Sequence, residues 1–235
     1  MNDKEVGASD CSAQPMGRMK YSEEERNRII TNFLRCTREI IDFEGIGQVS
    51  IRKVSQKAGF NSATMYLYFK DADELITLAS MGYLENFCRT LSADMPMLTN
   101  SREVYLHSWK VFGMHAFRNP QVFHHLFFYP HSVPLNETVT RYYEIYPHQL
   151  GDTDGPVREM LLAGPLEERN LQLLRPLAGE LGMDEEETML INDLTICYFK
   201  KLLEESSTDP GTLTVDSQVQ KLVEVIEFLF RHHNL

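Results

Sequence analysis

Apolar positions recur at spacings of three and four along most of the chain, and no segment alternates at period two long enough to make a strand. The expected fold class is all-α. The sharpest pattern lies at 50–75, SIRKVSQKAGFNSATMYLYFKDADEL. Ser50 can accept a bond from a helix-start N–H, and Ile51, Val54 and Ala58 then form one apolar stripe. Gly59 is the residue that most cheaply takes the positive φ ending a helix. Phe60 plugs the turn, Asn61 caps a second helix, and Met65 and Phe69, four apart, face inward. Ser62, Ala63, Thr64, Tyr66, Leu67 and Lys70 are left largely outward. Two helices meeting at a tight Gly turn predict a helix-turn-helix, whose second helix enters a DNA major groove.

The flanking pattern completes two functional parts. Ser22 and Glu25 form a capping box for a first helix, with Ile30, Phe33, Leu34, Thr37, Ile40 and Ile41 buried and EGIG at 44–47 ending it. After the motif, one continuous helix is expected from Asp71 to about Ala93, broken by MPMLTN at 95–100. Ser101 is expected to cap a helix to about Arg118, and Pro120 to open another through Tyr129. Further helices are expected around 135–146, from Gly164-Pro165 to Leu181, and over 184–204 and 216–232. This divides the chain into a disordered tail at 1–19, a three-helix DNA-binding head at 20–72 with its motif at about 49–68, and a C-terminal helical domain at 73–235.

A net charge of −11 looks wrong for a DNA binder until it is divided. Residues 18–70 hold ten Lys/Arg against six Asp/Glu, whereas 71–235 hold twelve against twenty-five. Affinity for nucleic acid depends on the local positive face, not the total. The four cysteines are scattered with no C-x-x-C, so neither a disulfide framework nor a zinc ribbon is indicated. No apolar run approaches the ~18 residues of a membrane span and no signal-peptide core is visible, so a cytoplasmic protein without a membrane partner is expected.

The run AGFNSATMYLYFK followed by DADEL resembles the signature of the TetR (tetracycline-repressor) family of bacterial regulators over about 55 residues. In one respect it departs: Ala72 stands where the family often places a phosphate-binding Lys, with Lys70 the candidate replacement. The resemblance implies Ser50, Arg52, Ser62, Ala63, Thr64, Tyr66, Leu67, Tyr68 and Lys70 as the DNA-contacting set. It further implies a homodimer whose last two helices build an intermolecular four-helix bundle, through Leu190, Leu194, Tyr198, Leu222, Ile226 and Leu229.

Between Tyr105 and Tyr129 eight residues are aromatic, in a chain that is 10% aromatic overall. Such a cluster serves either as core or as the apolar wall of a ligand site. The resemblance favours an effector pocket, assigned to Tyr105, Trp109, Phe112, Phe123, Phe127 and Tyr143. His107, His115, His124, His125, His131 and His148 lack the i, i+4 spacing of a metal site, so no metal and no cofactor are expected. No nucleophile elbow or phosphate-cradling loop appears, and no enzyme is expected. The reading is a ligand-responsive transcriptional repressor that binds a palindromic double-stranded operator as a homodimer and responds to a small-molecule effector. The alternative is a helical-bundle enzyme or metal-binding protein using residues 105–148.

Overall fold

The structure is a computed structural model and describes residues 22–150, 155–208 and 213–231. Every described element is a helix. The expected tail at 1–19 lies outside the described residues.

Helix α1 (Glu23–Glu44) starts at the expected capping box: the Ser22 hydroxyl accepts from the Glu25 amide at 3.2 Å and the Glu25 carboxylate from the Ser22 amide at 2.8 Å. Helix α2 (Ile51–Ala58) is capped by Ser50 and stops at Gly59, whose φ of 78° is the left-handed conformation the sequence calls for. Phe60 then stacks on Phe33, ring centroids 5.4 Å apart, and Phe69 meets the same ring edge-on at 5.9 Å. The α2–α3 turn is thus fixed to the core by one aromatic triplet. Helix α3 (Ser62–Met65), capped by Asn61, is a single turn. It tightens at once, with Leu67 N–H bonded to Thr64 O and Tyr68 N–H to Met65 O, so it is shorter than the helix expected to reach Phe69.

The continuous helix expected from Asp71 to about Ala93 is two helices, α4 (Ala72–Met81) and α5 (Leu84–Asp94). The break falls at Gly82, against which the Arg38 guanidinium of α1 is packed; a Cβ there would lie 2.0 Å from it. The Tyr83 hydroxyl donates to Asp42, so both residues at the break face α1. Helix α6 (Ser101–Ala116) is capped by Asn100, which accepts from the Glu103 amide at 2.9 Å, rather than by Ser101. Helices α7 (Pro120–Phe128) and α8 (Leu135–Ile145) fall where expected. Helix α9 (Gly155–Leu162) is hidden in the sequence by its Gly and Pro punctuation. Helices α10 (Leu166–Leu181), α11 (Glu185–Thr208) and α12 (Val215–Leu229) complete the chain.

In the larger domain α6 packs against α5, α10 and α12, and α11 packs against α7, α10 and α12. Phe112 sits at the centre, within 5.9 Å of the rings of Phe87, Trp109, Phe123, Phe127 and Phe199. Offset and edge-on aromatic packing of this kind adds about 0.5–1.5 kcal/mol per pair beyond area burial.

Candidate DNA-reading face, effector cavity and subunit face

On the head, Ser50, Arg52, Ala63, Tyr66, Leu67 and Lys70 are exposed, and Ser62, Thr64 and Tyr68 are half-buried. Tyr66 and Leu67 are exposed although large and apolar, because the buried face of this short segment is already filled by Met65 and Phe69. The cations of α2 are unequal. Lys53 pairs with Glu44 and Lys57 with Glu39 of α1, whereas Arg52 has no ion pair among the described residues. The Lys70 ammonium, expected as a phosphate contact, donates to the carbonyl of Ser132, in the larger domain, at 2.6 Å.

That bond belongs to a polar seam between head and larger domain. Arg141 of α8 pairs with the buried Glu74 of α4, donates to the Tyr68 carbonyl at 2.6 Å, and lies over the Phe69 ring at 5.3 Å. Glu74 also accepts from the Lys70 amide at 2.6 Å. Asp71 caps α4 and accepts from the Ser132 hydroxyl, and Asp73 accepts from the Ser132 amide at 2.7 Å. The end of the α3 segment and the first turn of α4 are therefore both held by the larger domain. Nothing in the periodicity marks Arg141 or Ser132 for this task.

A cavity of about 30 Å³ opens among Phe87, Trp109, Phe112, Met160, Leu166 and Leu173, with Ser108, Arg169 and Asn170 as its polar members. It has room for a water or two, far below the roughly 300–1,000 Å³ of a typical ligand pocket. Of the expected lining, Trp109 and Phe112 are present and four residues are elsewhere. Tyr105 and Phe123 are fully buried core, Phe127 lies beneath the Arg169 guanidinium at 5.7 Å, and Tyr143 faces Cys88. Burial pushes the Cys88 thiol up to about 11 and the Tyr143 phenol higher still, so both stay protonated.

Behind the cavity runs a buried polar row: the Trp109 indole donates to Asn170 at 2.9 Å, and Asn170 donates to Asn192 at 2.9 Å. The Tyr105 hydroxyl neighbours Asn170 and Thr195 without a well-formed hydrogen bond to either. Arg169 is buried and has no carboxylate in ion-pair contact; its Nε donates to the Gly164 carbonyl at 3.1 Å and its Nη2 has no hydrogen-bond partner among the described residues. Burial lowers its affinity for its proton. Aromatic clustering misses Arg169 and Asn170. Their signal is positional, since both fall on the apolar stripe made by Leu166, Leu173 and Leu177, where a charge has no ordinary place.

On the last two helices, Leu190 is 58% exposed and Leu194 also stands out, with Tyr198 and Leu229 half-buried. Leu222 and Ile226, expected at the subunit interface, are fully buried within their own chain. The face of α12 carrying them turns inward onto α6 and α11. Phe228, 54% exposed, and Met189 are the apolar residues that stand outward in their place.

The histidines are also redistributed. His107 pairs with Asp94 at 2.8 Å, whereas His125 and His131 converge on Asp73 beside Thr77. No described helix is long and apolar enough to cross a membrane.

No family model matches the chain. A curated relative, an uncharacterised HTH-type transcriptional regulator of Haemophilus influenzae, is 30% identical over 91 residues, which make up 39% of this chain and 49% of the relative. The chain thus spans about half the length of the curated relative it matches. Among solved structures, Thermus thermophilus FadR, a TetR-family transcriptional repressor in complex with lauroyl-CoA, is similar with a TM-score of 0.56 at 14% identity, over 84% of this chain and 93% of that one. RolR in complex with resorcinol gives 0.57 at 14% identity, over 87% and 88%, and Bacillus subtilis FadR with stearoyl-CoA gives 0.54 at 12%, over 83% and 96%. The fold shared with these structures is the one the sequence resemblance implies.

Proposed function

With the fold of the TetR-family regulators as premise, we propose that this chain is a ligand-responsive repressor that binds a palindromic DNA operator as a homodimer. The observation that carries the reading is the seam. Arg141 holds both the Tyr68 carbonyl, at the end of the DNA-reading segment, and Glu74, in the first turn of α4. A movement of α8 or α4 is thereby transmitted to the head as a change in its orientation. Two half-sites stand about 34–36 Å apart on one face of the duplex. A change of a few ångströms between two heads spoils simultaneous docking. The effector acts by binding one of the two arrangements better than the other.

The effector we infer is a compact apolar molecule with an anionic or strongly accepting end. Apolar side chains and one buried guanidinium with an unused donor line the cavity. An uncompensated buried charge is costly, and a ligand acceptor would relieve that cost. The ligands of the fold neighbours, lauroyl-CoA and resorcinol, likewise join apolar surface to polar groups. At about 30 Å³ the cavity must widen to admit either kind of molecule. The relatives reported above are named as regulators, which favours this reading over an enzyme.

Selection of bound duplexes from a random DNA pool tests the proposal. The expected product is an inverted repeat bound with steep salt dependence. Recovery of no sequence preference would leave the head without its function. Fluorescence of Trp109, the chain's single tryptophan, then reports ligands that enter the cavity.

A further inference from the structure

We propose that Asp73, His125 and His131 form a binding site for a divalent transition metal of the zinc class, joining the first turn of α4 to α7 and the loop that follows it. One ligand atom from each residue converges there, all within 4.8 Å of one another. Asp73 Oδ1 lies 3.6 Å from His125 Nε2 and 3.5 Å from His131 Nδ1. Zinc bonds of about 2.0–2.2 Å place tetrahedral ligand atoms about 3.3–3.6 Å apart, so these two edges already match a coordination polyhedron. They are too long for good hydrogen bonds.

The protons of the cluster agree with this assignment. His131 Nε2 sits 3.0 Å from the Leu126 carbonyl, which can only accept. In the neutral ring Nε2 therefore carries the proton, and Nδ1 presents a lone pair toward Asp73. A backbone carbonyl fixing the far nitrogen is the usual support of a metal-ligating imidazole. Asp73 is supported in the same way, its Oδ2 accepting from the Ser132 amide at 2.7 Å. Its Oδ1 is buried and has no hydrogen-bond donor among the described residues. Thr77 Oγ1 stands 3.2 Å from His125 Nε2 and 3.1 Å from His131 Nδ1, closing one side of the site. His125 is further held by stacking on Tyr129, ring centroids 5.1 Å apart.

Two imidazoles and one carboxylate, with no thiolate, suit zinc and its first-row neighbours better than calcium, magnesium or copper(I). The three side chains come from positions 73, 125 and 131, so no local spacing motif could reveal them.

The test uses the full chain after chelator treatment, with Zn²⁺ alone as the probe and neither DNA nor effector present. Calorimetry and metal content after gel filtration should give one Zn²⁺ per chain, and Zn²⁺ should raise the melting temperature by mass action. Co²⁺ should give visible absorption bands of a low-coordinate site. Asp73→Asn keeps an acceptor for the Ser132 amide and should lose the tight equivalent, as should His131→Gln. The loss should exceed the about 10–100-fold that removal of a supporting partner costs. Circular dichroism of the metal-free variants checks folding, and Asp73→Asn with His125→Asn carries the test if His131→Gln does not fold. Absence of stoichiometric Zn²⁺ in the wild-type chain overturns the proposal. So does unchanged binding in folded Asp73→Asn, which would place the metal elsewhere.

Discussion

Arg141 of α8 and Glu74 of α4 form an ion pair across the seam between the two domains, and the same guanidinium bonds the carbonyl of Tyr68. One side chain thus ties the larger domain both to α4 and to the last carbonyl of the segment that follows α3. Glu74 is the more buried partner, at about 10% side-chain exposure. Arg141→Met removes the ion-pair partner of Glu74 Oε1, leaving only the Lys70 amide on the other oxygen, and should cost about 1–3 kcal/mol, the penalty for a buried group that loses a partner. The Lys70 amide, which donates to Glu74, should exchange its hydrogen faster in this variant. Segments around Phe33, in the head core, should keep their protection. Hydrogen exchange read by mass spectrometry checks both, and equal loss in both regions would make Arg141 a general stabiliser rather than a latch.

The proposed subunit face is tested through the residues of α11 and α12 that point outward. Leu190, Leu194 and Phe228 are exposed in one chain, so replacing Leu190 and Phe228 by Asp should give a folded monomer. Light scattering reads the mass and circular dichroism the fold. Cys197 is exposed on the same helix as Leu190 and Leu194, and should be alkylated faster in that monomer than in the proposed dimer. Ile226→Ala should behave differently, unfolding the chain by about 2–5 kcal/mol whatever its oligomeric state. A double Asp variant that stays dimeric would move the interface away from this face.

The helix-turn-helix is legible in the sequence because its determinants are local. Ser50, Gly59 and Asn61 act within four residues of themselves, and Met65 and Phe69 are spaced by one turn. The break in the helix expected from Asp71 to Ala93 is not legible locally, because the group packed against Gly82 is Arg38, forty-four positions earlier. The lining of the cavity is only partly legible. Aromatic clustering locates Trp109 and Phe112, but the same composition describes the core residues Tyr105 and Phe123. Periodicity alone cannot tell which stripe of α12 faces its own chain, and Leu222 and Ile226, which the resemblance implies at the interface, are fully buried within their own chain.

Two glycines should respond to alanine with opposite sign. A Cβ on Gly164 would lie 2.6 Å from the Asn136 backbone nitrogen and 2.8 Å from its Cα, in the first turn of α8. Backbone cannot swing aside as a side chain can, so Gly164→Ala should cost about 1–3 kcal/mol. It should also disturb Arg169, whose Nε bonds the Gly164 carbonyl. Gly179, in α10, has nothing within 4 Å of its built Cβ, and Gly179→Ala should stabilise by about 0.4–1 kcal/mol. Denaturant melts of the two variants decide the signs.

The last prediction separates reading from positioning on the head. Arg52 is exposed on α2 and free of ion pairs among the described residues, while its neighbours Lys53 and Lys57 are bound to acids of α1. A guanidinium can bond guanine O6 and N7 together, a contact worth about 1–3 kcal/mol of discrimination. Arg52→Ala should therefore relax preference at one symmetric base pair of the selected operator. Lys70 should act otherwise, because its ammonium is bonded to Ser132 across the seam. A free phosphate contact would lower the salt dependence of binding by about one unit on removal. Lys70→Ala should leave that slope nearly unchanged and lower the melting temperature instead. Binding of both variants to the operator and its single-base changes, at several salt concentrations, checks the pair. Uniform weakening by Arg52→Ala would make it a phosphate contact, and a reduced slope in Lys70→Ala would show that its ammonium leaves Ser132 for the duplex.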